Sequence, residues 1–365
     1  MKENELYLTE QIITYIGNKR SLLNDINREI LCIKKRLNAE KIDFLDLFSG
    51  SGVVARLFKQ HARRVYANDL EEYSRVINDC YLTNTTEFNI KRYNVLKEYI
   101  EHTLTTDLKE GLIAKFYAPK NDDNIVYGER AFYTRKNALI IDTIRDAITK
   151  IEEPMKKFFL APLLYEASVH VNTAGVFKGF YKDVKTGIGR FGGAAENALT
   201  RIKGKISLKQ PVLSNFECDC NIYKEDSNSL VRRLPTVDIA YIDPPYNQHP
   251  YGSNYFMLNA IVKNEVADTI SQVSGIPNDW NRSAYNKKNT ALVVFERLIS
   301  DLKAKYAIIS YNSEGFISLE EMLELLQKYG KVKTNKIQYN VYRGSRNLKN
   351  RNLYVSEYLF VLEKE

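Results

Sequence analysis

An apolar run, a pair of glycines and a helix-like stretch follow one another near the start of this chain, and this order constrains the fold most strongly. The run KIDFLDLF leads into SGSG, and VVARLFKQH after it has the apolar spacing of a helix. The next apolar run, RRVYANDL, ends in Asp69, and SRVINDCYL continues as a second helix. Strands that alternate with helices in this way form a parallel sheet, so the sequence predicts an α/β fold.

The alternation is interrupted from about residue 92 to residue 215. This region contains helix-like segments and then the glycine-rich basic stretch GVFKGFYKDVKTGIGRFGG. Strand–helix order resumes at NIYKEDSNSLVRRL, and two strand-like runs across a polar turn follow near the end of the sequence. We therefore predict one α/β domain formed by residues 1–91 and 216–365, interrupted by an inserted, largely helical module at 92–215.

The charge of the chain favours a polyanionic partner. Its formal net charge is +8, and basic residues concentrate in two regions, 178–209 and 331–351. Solvated charged faces are the alternative, but glycines and aromatic residues interleave with the first group of cations. The residues predicted to bind DNA are Lys178, Lys182, Lys185 and Arg190 in the insertion, and Arg343, Arg346, Lys349 and Arg351 near the terminal turn.

The sequence shows neither the apolar segments of a membrane or secreted protein nor the cysteine spacing of a zinc site. No apolar stretch approaches the roughly 18 residues of a membrane span, and the first residues lack the apolar core of a signal peptide, so we expect a cytoplasmic protein. The four cysteines do not have the spacing of a zinc site, so we expect no metal.

The glycine turn has the features of a nucleotide-binding site. Gly50 and Gly52 allow a ligand to approach the backbone, and Asp69 at the end of the next strand can accept hydrogen bonds from ribose hydroxyls. The pattern suits NAD, FAD or S-adenosylmethionine, and a plain strand–helix turn remains an alternative.

A second motif, DPPY at residues 243–246, follows the apolar run VDIAYI. Two prolines fix the backbone and keep its carbonyl groups free as acceptors, at the sheet edge where α/β proteins bind ligands. Asp243 and the Pro244 carbonyl are placed to accept the two hydrogens of a conjugated amine, which frees the nitrogen lone pair for attack. Tyr246 can stack on the ring, and these interactions strengthen as the nitrogen becomes positive.

The motifs TYIGNKRSLL, DLFSGSG, YANDL, KEDS and DIAYIDPPYN, in this order, resemble those of the Dam-like (α-group) DNA adenine methyltransferases. The stretch DPPYNQHPYGSNYFMLNAIVKNE is further similar to adenine methyltransferases of restriction-modification systems, of the FokI-methylase type. The resemblance implies a seven-stranded Rossmann-like sheet with an antiparallel last strand, S-adenosylmethionine as methyl donor and double-stranded DNA as partner. A cognate restriction endonuclease encoded nearby is left open.

The resemblance also implies roles for individual residues. Asp243, Pro244, Pro245 and Tyr246 would form the catalytic site. The residues that would bind or enclose the cofactor are Tyr15, Lys19, Asp46, Phe48, Ser49, Gly50, Gly52, Asp69, Asp226 and Ser227. From the residues alone, Lys19 also fits a plain helix start, and Asp226 fits a helix N-cap. The resemblance further implies that residues 1–91 and 216–365 form the catalytic domain and that the insertion at 92–215 is a target-recognition module. The segment 247–289 after DPPY is long, and two roles are left open for it, a lid or an added DNA contact.

The predicted reaction is methyl transfer to the N6 atom of a flipped adenine in duplex DNA, without a metal. Four alternative functions fit the sequence less well. Methylation of cytosine N4 is disfavoured by Asp243, and RNA methylation by the large insertion. A nicotinamide-dependent oxidoreductase would share the glycine turn but would leave the DPPY motif unexplained. A non-catalytic DNA-binding subunit would not need to keep all the residues of the catalytic motif. The recognition sequence and the oligomeric state cannot be derived from the sequence.

Overall fold

The computed structural model describes residues 2–193, 196–265, 267–340 and 354–365. Within these ranges no helix is both long and apolar enough to cross a membrane. The described helices, in chain order, are α1 (Glu5–Thr9), α2 (Leu23–Leu37), α3 (Val53–Lys59), α4 (Glu72–Tyr81), α5 (Ile90–Thr106), α6 (Leu112–Phe116), α7 (Arg135–Thr149), α8 (Glu153–Val169), α9 (Leu199–Lys203), α10 (Ser227–Arg233), α11 (Tyr251–Asn254), α12 (Phe256–Lys263), α13 (Lys288–Asp301) and α14 (Leu319–Gln327). Short 3₁₀ helices lie at Arg20–Leu22, Thr85–Glu87 and Ala284–Asn286.

Seven strands form one mixed sheet. They are β1 (Ile42–Asp46), β2 (Ala62–Asp69), β3 (Asp219–Lys224), β4 (Val237–Ile242), β5 (Ala304–Asn312), β6 (Gly330–Asn340) and β7 (Tyr354–Lys364). The spatial order is β3-β2-β1-β4-β5-β7-β6. Strands β1 to β5 pair in parallel, whereas β7 runs antiparallel to both β5 and β6. The predicted seven-stranded α/β fold with an antiparallel last strand is confirmed.

Alternation along the strands builds an apolar core on each face of the sheet. In β1, Phe44 packs in one cluster with residues of α2 and α3 such as Ile30 and Phe58. Its neighbour Leu45 packs in the other cluster, with residues of α13 and α14 such as Leu298 and Leu325. Successive side chains of a strand point to opposite faces, so a strand covered by helices on both sides is apolar throughout.

Local sequence signals set several helix starts. The Ser318 side chain accepts from the N–H of Glu321, and the Glu321 carboxylate accepts from the N–H of Ser318, which forms a capping box at α14. Thr134 caps α7 in a similar way by accepting from the N–H of Asn137. These side chains satisfy N–H groups that a helix leaves unpaired in its first turn.

The helices of the region 92–215 share a third apolar cluster with two elements outside it. Ile100 of α5, Ile144 of α7 and Phe159 of α8 belong to the same cluster as Ile77 of α4 and Ile261 of α12. Helix α5 begins at Ile90, two residues before the predicted boundary. The region 92–215 therefore packs directly on α4, which follows β2, and on α12, which follows the DPPY motif.

Candidate functional site

Three adjacent parallel strands end at one cleft. Asp46 is the last residue of β1, Asp69 is the last residue of β2, and Asp243 follows β4 directly. Since β1 lies between β2 and β4, the three carboxylates come to the same edge of the sheet. The cleft is lined by Tyr15, Gly17, Asn18, Lys19, Asp46, Phe48, Ser49, Gly50, Ser51, Val53, Val54, Asp69, Leu70, Glu71, Asp226, Ser227, Tyr241, Asp243, Pro245, Tyr251, Gly252, Asn281, Ser283, Tyr285 and Asn286.

The glycine turn between β1 and α3 requires its glycines. Gly50 and Gly52 have φ angles of 51° and 74°, in the left-handed region. A Cβ atom at Gly50 would lie 2.9 Å from Cε1 of Tyr15, and one at Gly52 would lie 2.7 Å from Oδ1 of Asn78. Larger residues would therefore strain the backbone and displace two side chains that pack against the turn.

Asp69 holds this turn from the neighbouring strand. Its Oδ2 accepts from the N–H of Gly50 at 2.8 Å, and its Oδ1 accepts from the N–H of Glu71 at 2.9 Å. Burial raises the pKa of Asp69, and these backbone hydrogen bonds oppose the rise. The carboxylate therefore already fixes two backbone segments where it faces the cleft.

The carboxylate of Asp46 has no close hydrogen-bond donor among the described residues. Its side chain is buried, and burial raises the pKa of Asp46 well above its usual range. The charges of Asp243 and Asp69 add to this rise, whereas the backbone N–H groups of Ala55 and Phe48 oppose it. A buried carboxylate that is so weakly paired is costly, so this position fits a ligand that brings a cation or an N–H group.

Lys19 joins Asp243 to a second buried carboxylate. Its Nζ lies 3.1 Å from Oδ1 of Asp243 and 2.8 Å from Oε1 of Glu357 on β7. Ser310 and Asn312, both on β5, also donate to Glu357, at 2.5 and 3.2 Å. Burial would lower the pKa of Lys19, but the charges of Asp243 and Glu357 outweigh it and hold the pKa well above its usual value. Lys19 is therefore a fixed cation beside the catalytic motif.

Asp243 shares the ammonium group of Lys19 with Glu357, so the negative charge of Asp243 is only partly compensated. Burial raises the pKa of Asp243 to about 7, the charge of Lys19 opposes this rise, and the charge of Glu357 adds to it. Two carboxylates that share one cation in an enclosed site cannot both be fully stabilised as anions. Asp243 thus changes its protonation state near neutral pH.

Of the other DPPY residues, Pro245 lines the cleft, whereas Pro244 and Tyr246 lie beside it. Pro244 is buried, whereas Pro245 and Tyr246 are half-buried. Nζ of Lys19 lies 5.9 Å from the centre of the Tyr246 ring, and Tyr311 meets this ring edge-on at 6.2 Å. The carbonyl of Tyr246 accepts from the N–H of Phe316 at 2.9 Å, which anchors the end of the motif.

Tyr15 enters the cleft within a group of stacked tyrosines. Its ring stacks on those of Tyr251 at 5.1 Å and Tyr255 at 4.8 Å, and its hydroxyl lies 3.2 Å from that of Tyr73. The backbone of Ile16 donates to the Tyr255 hydroxyl at 2.7 Å and accepts from the Tyr251 hydroxyl at 3.3 Å. The N-terminal motif is therefore held against the segment that follows DPPY.

The opposite end of the cleft is formed by Asp226, Ser227 and two aromatic rings. Asp226 caps α10 by accepting from the N–H of Ser229 at 3.0 Å, and Ser227 donates to the Leu47 carbonyl at 3.1 Å. Asp226 is thus an N-cap and also lines the cleft. Tyr285 meets the Phe48 ring edge-on at 5.3 Å, and these aromatic surfaces suit a flat ligand ring.

All the predicted cofactor-binding residues except Gly52 line this cleft, and Gly52 lies in the turn beside it. Five further residues, at or beside the cleft, were not among the predicted site residues: Glu71, Tyr251, Asn281, Tyr285 and Glu357. Glu357 does have a signal in the sequence. It occupies an inward position between the apolar residues of YVSEYLFVLE, where an acid needs a buried partner. The other four have no local pattern that marks them.

The predicted DNA-binding residues of the insertion lie around a short hairpin. Lys182 and Gly189 form an isolated antiparallel bridge, and Asp183 accepts from the N–H groups of Lys185 and Thr186 at the turn. Lys178 and Lys185 are exposed, Nζ of Lys182 lies 4.8 Å from the centre of the Phe180 ring, and Arg190 pairs with Glu196. The other four predicted residues, Arg343, Arg346, Lys349 and Arg351, lie outside the described residues.

The hairpin adjoins the cleft through its first residues. The N–H of Phe177 donates to the Asn254 carbonyl at 2.7 Å, and the Phe177 ring meets the Tyr255 ring edge-on at 6.1 Å. Tyr255 in turn stacks on Tyr15. Within the ranges described, no group of three or more His, Cys, Asp or Glu side chains is arranged to hold a metal ion.

Comparison with known proteins gives consistent matches along most of the chain. A family model described as D12 class N6 adenine-specific DNA methyltransferase matches residues 15–325. The chain is 32% identical over 364 residues to the type II methyltransferase M.NlaIII of Neisseria lactamica, which covers 96% of this chain and 99% of that protein. It is 30% identical over 329 residues to the type II methyltransferase M.CviAII of Paramecium bursaria Chlorella virus 1, covering 87% and 89%. M.FokI of Planomicrobium okeanokoites is 26% identical over 96% of this chain but 52% of its own length.

Proposed function

Because the chain belongs to the D12 class N6 adenine-specific DNA methyltransferase family, we propose that its cleft binds S-adenosylmethionine beside an adenine held by the DPPY motif. The family match confirms the resemblance that the sequence motifs carry, and with it the class of enzyme. The observation that carries the proposal is the convergence of Asp46, Asp69 and Asp243 on one cleft.

The weakly paired carboxylate of Asp46 supports the choice of methyl donor. S-Adenosylmethionine has a protonated amino group at its methionine end, and Asp46 offers two buried oxygens that lack a close donor among the described residues. The glycine turn next to Asp46 leaves room for a ligand against the backbone. We assign Asp46, Phe48, Ser49, Gly50 and Gly52 to the methionine side, where Asp46 pairs with the amino group.

The remaining cleft residues fit the nucleoside part of the donor. Asp69 would accept from the ribose hydroxyls while it keeps the hydrogen bonds that hold the glycine turn. Asp226 and Ser227, with the aromatic ring of Tyr285 beyond them, would face the adenine of the donor. Tyr15 and its stacked neighbours would close the cleft from the side of the N-terminal motif.

When bound, S-adenosylmethionine supplies an electrophilic methyl group on a positively charged sulfur. In the proposed reaction, Asp243 and the Pro244 carbonyl accept the two N6 hydrogens of the target adenine, and Tyr246 stacks on its ring. The N6–carbon bond would form as the carbon–sulfur bond breaks, the electron pair of the broken bond would stay on the sulfur, and one N6 proton would pass to solvent water. The ionised carboxylate of Asp243 would stabilise the positive charge that develops on N6.

We propose that the adenine reaches this site by leaving the duplex, because its N6 atom is otherwise within the base stack. Residues of the hairpin 177–190 would contact the DNA, with the cations Lys178, Lys182, Lys185 and Arg190 at its surface. Their proximity to the cleft through Phe177 and Tyr255 supports this placement. Arg343, Arg346, Lys349 and Arg351 are proposed to contact phosphates, which position a protein without specifying a sequence.

The relatives M.NlaIII and M.CviAII are named type II methyltransferases. We propose by this similarity that the chain is the modification enzyme of a restriction-modification system, with a cognate endonuclease as partner. Modified-base sequencing of DNA from cells that express the wild type or Asp243→Ala tests the function. We expect N6-methyladenine at one short sequence with the wild type only. Methylcytosine at the modified sites, or equal methylation with the variant, would overturn the proposal.

A further inference from the structure

The segment 247–289 forms the outer wall of the cleft at both of its ends. Near its start, Tyr251 and Gly252 line the cleft, and near its end Asn281, Ser283, Tyr285 and Asn286 do so. Between these ends, α12 packs in the apolar cluster of the insertion. The segment therefore has to be fixed at two separate places to give the cleft a constant shape.

Glu71 contacts the segment at two places, at Asn259 in α12 and at Asn281 near the end of the segment. Its Oε2 accepts from Nδ2 of Asn259 at 2.5 Å and from Nδ2 of Asn281 at 3.1 Å. Asn281 also donates to the Leu70 carbonyl at 3.0 Å, and Asn259 accepts from the N–H of Tyr73 at 3.1 Å. One carboxylate oxygen thus joins two distant parts of the segment to the end of β2.

The packing around Glu71 leaves little room for these parts to move. Glu71 is only 2% exposed, and a Cβ atom at Gly252 would lie 2.5 Å from the carbonyl oxygen of Asn281 and 3.1 Å from Oε1 of Glu71. Gly252 is therefore pressed against the place where Asn281 meets Glu71. Loss of the carboxylate would leave the Asn281 side chain held only by its hydrogen bond to the Leu70 carbonyl, and so would loosen the start of the wall formed by residues 281–286.

Glu71 is also coupled to the proposed ribose ligand. The N–H of Glu71 donates to Oδ1 of Asp69, so the two residues are fixed relative to each other. Burial raises the pKa of Glu71 to about 7, and the charge of Asp69 adds to this, while the hydrogen bonds from Asn259 and Asn281 oppose it. A buried acid beside another acid is unfavourable unless its hydrogen bonds compensate, and here both compensating amides come from the segment.

We propose that Glu71 is a positioning residue that pins the segment 247–289 as the outer wall of the methyl-donor cleft. The inference rests on the proposed function, since the ligand enclosed by this wall is S-adenosylmethionine. Glu71 touches neither Asp243 nor the DPPY prolines in the hydrogen bonds described. Its loss should therefore weaken donor binding more than it slows methyl transfer at saturating donor.

The test compares Glu71→Ala with Glu71→Gln in the full-length protein. Both amide hydrogen bonds end on one oxygen of Glu71, so the carbonyl oxygen of glutamine can accept them, whereas alanine cannot. Calorimetric titration with S-adenosylmethionine should show binding at least about tenfold weaker for Glu71→Ala, because two hydrogen bonds to a charged group are lost. Glu71→Gln should stay within about threefold of the wild type.

Glu72→Ala is the matched control. Glu72 begins the same helix but pairs with Arg75 and Lys224, with no hydrogen bond to the segment. It should leave donor affinity unchanged. In Glu71→Ala the KM for S-adenosylmethionine should rise about tenfold while kcat falls by less than about threefold. Trypsin cleavage between residues 263 and 288 should be slowed by S-adenosylmethionine in the wild type but not in Glu71→Ala.

A second variant separates release of the segment from general loss of structure. Asn281→Ala alone should weaken donor binding, and the double variant should weaken binding by less than the sum of the two single changes, because both remove the hydrogen bond between Glu71 and Asn281 and only Asn281→Ala also removes the one to the Leu70 carbonyl. No binding of S-adenosylmethionine by the wild type would overturn the proposed function. Normal binding by both the wild type and Glu71→Ala would leave that function intact and overturn the role of Glu71. Equal losses in Glu71→Ala and Glu72→Ala would overturn it too.

Discussion

Replacing Glu357 by glutamine should move the pH dependence of methyl transfer to lower pH. In the proposed mechanism the ionised form of Asp243 accepts an N6 hydrogen. Because the pKa of Asp243 is raised to about 7, this form accumulates as pH rises through 7. The rate constant of the wild type should therefore increase between about pH 6 and pH 8. Removing the negative charge of Glu357 makes ionisation of Asp243 easier, so the increase should begin at lower pH.

The size of this shift follows from the geometry of the three side chains. Both carboxylates lie within about 3 Å of Nζ of Lys19, so they are about 6 Å apart at most. Two like charges about 6 Å apart repel by about 3 kcal/mol at an effective dielectric constant near 20. Since about 1.4 kcal/mol corresponds to one pH unit, and rearrangement reduces the effect, the midpoint should move down by about one to two pH units.

Single-turnover transfer of a radiolabelled methyl group, with enzyme in excess over duplex DNA, measures this midpoint without product release. Glutamine keeps an oxygen that can accept from Lys19 and Ser310, and it gives up only the longer hydrogen bond from Asn312 to the second oxygen. Glu363→Gln on the same strand is the control, because Glu363 pairs with Arg36 outside the cleft. A midpoint that rises in Glu357→Gln, or that moves equally in Glu363→Gln, would refute the reasoning.

Three further predictions concern the donor, the target base and stability. Asp69→Ala should weaken calorimetric binding of S-adenosylmethionine by about tenfold to a hundredfold, because it loses the ribose contact and frees the Gly50 N–H; unchanged affinity would remove Asp69 from the site. Tyr246→Ala should lower single-turnover rates severely and Tyr246→Phe only mildly, since stacking needs the ring; equal losses would assign the role to the hydroxyl. Gly52→Ala should lower the free energy of unfolding by more than about 1 kcal/mol in urea titration, since φ is 74° and the new Cβ meets Asn78; no loss would mean that the turn rearranges freely.

The sheet could be predicted because its sequence signals are local. Most parallel strands are short apolar runs that lead into a turn and a helix, as in KIDFLDLFSGSG before α3, whereas β3 (DCNIYK) has exposed polar ends. Asp69 and Asp243 could also be predicted, because each stands at or just past the end of such a run. Asp46 was expected only from the family resemblance, although it too is the last residue of a strand. Ends of parallel strands meet at one edge of a sheet, which is why the fold brings the three carboxylates together.

The contacts that shape the cleft could not be predicted, because they join residues far apart in the chain. The pair between Lys19 and Glu357 links the N-terminal motif to β7, and the hydrogen bond between Glu71 and Asn281 links β2 to the segment after DPPY. Asparagine and glutamate are common surface residues, and only the folded arrangement shows that Glu71 is buried against amides. Neither partner of such a pair carries a pattern that identifies the other.

Tyr255 illustrates how such contacts relate the two proposed binding surfaces. Its ring stacks on Tyr15 of the cofactor motif and meets Phe177 at the start of the basic hairpin, and its hydroxyl accepts from the N–H of Ile16. A shift of the hairpin on DNA would therefore act on the same side chain that supports the donor cleft. Any coupling between donor and DNA binding through Tyr255 must be reciprocal, because each ligand changes the affinity for the other by the same factor. Tyr255 belongs to the segment 247–289, so this segment contacts both the N-terminal motif and the region 92–215.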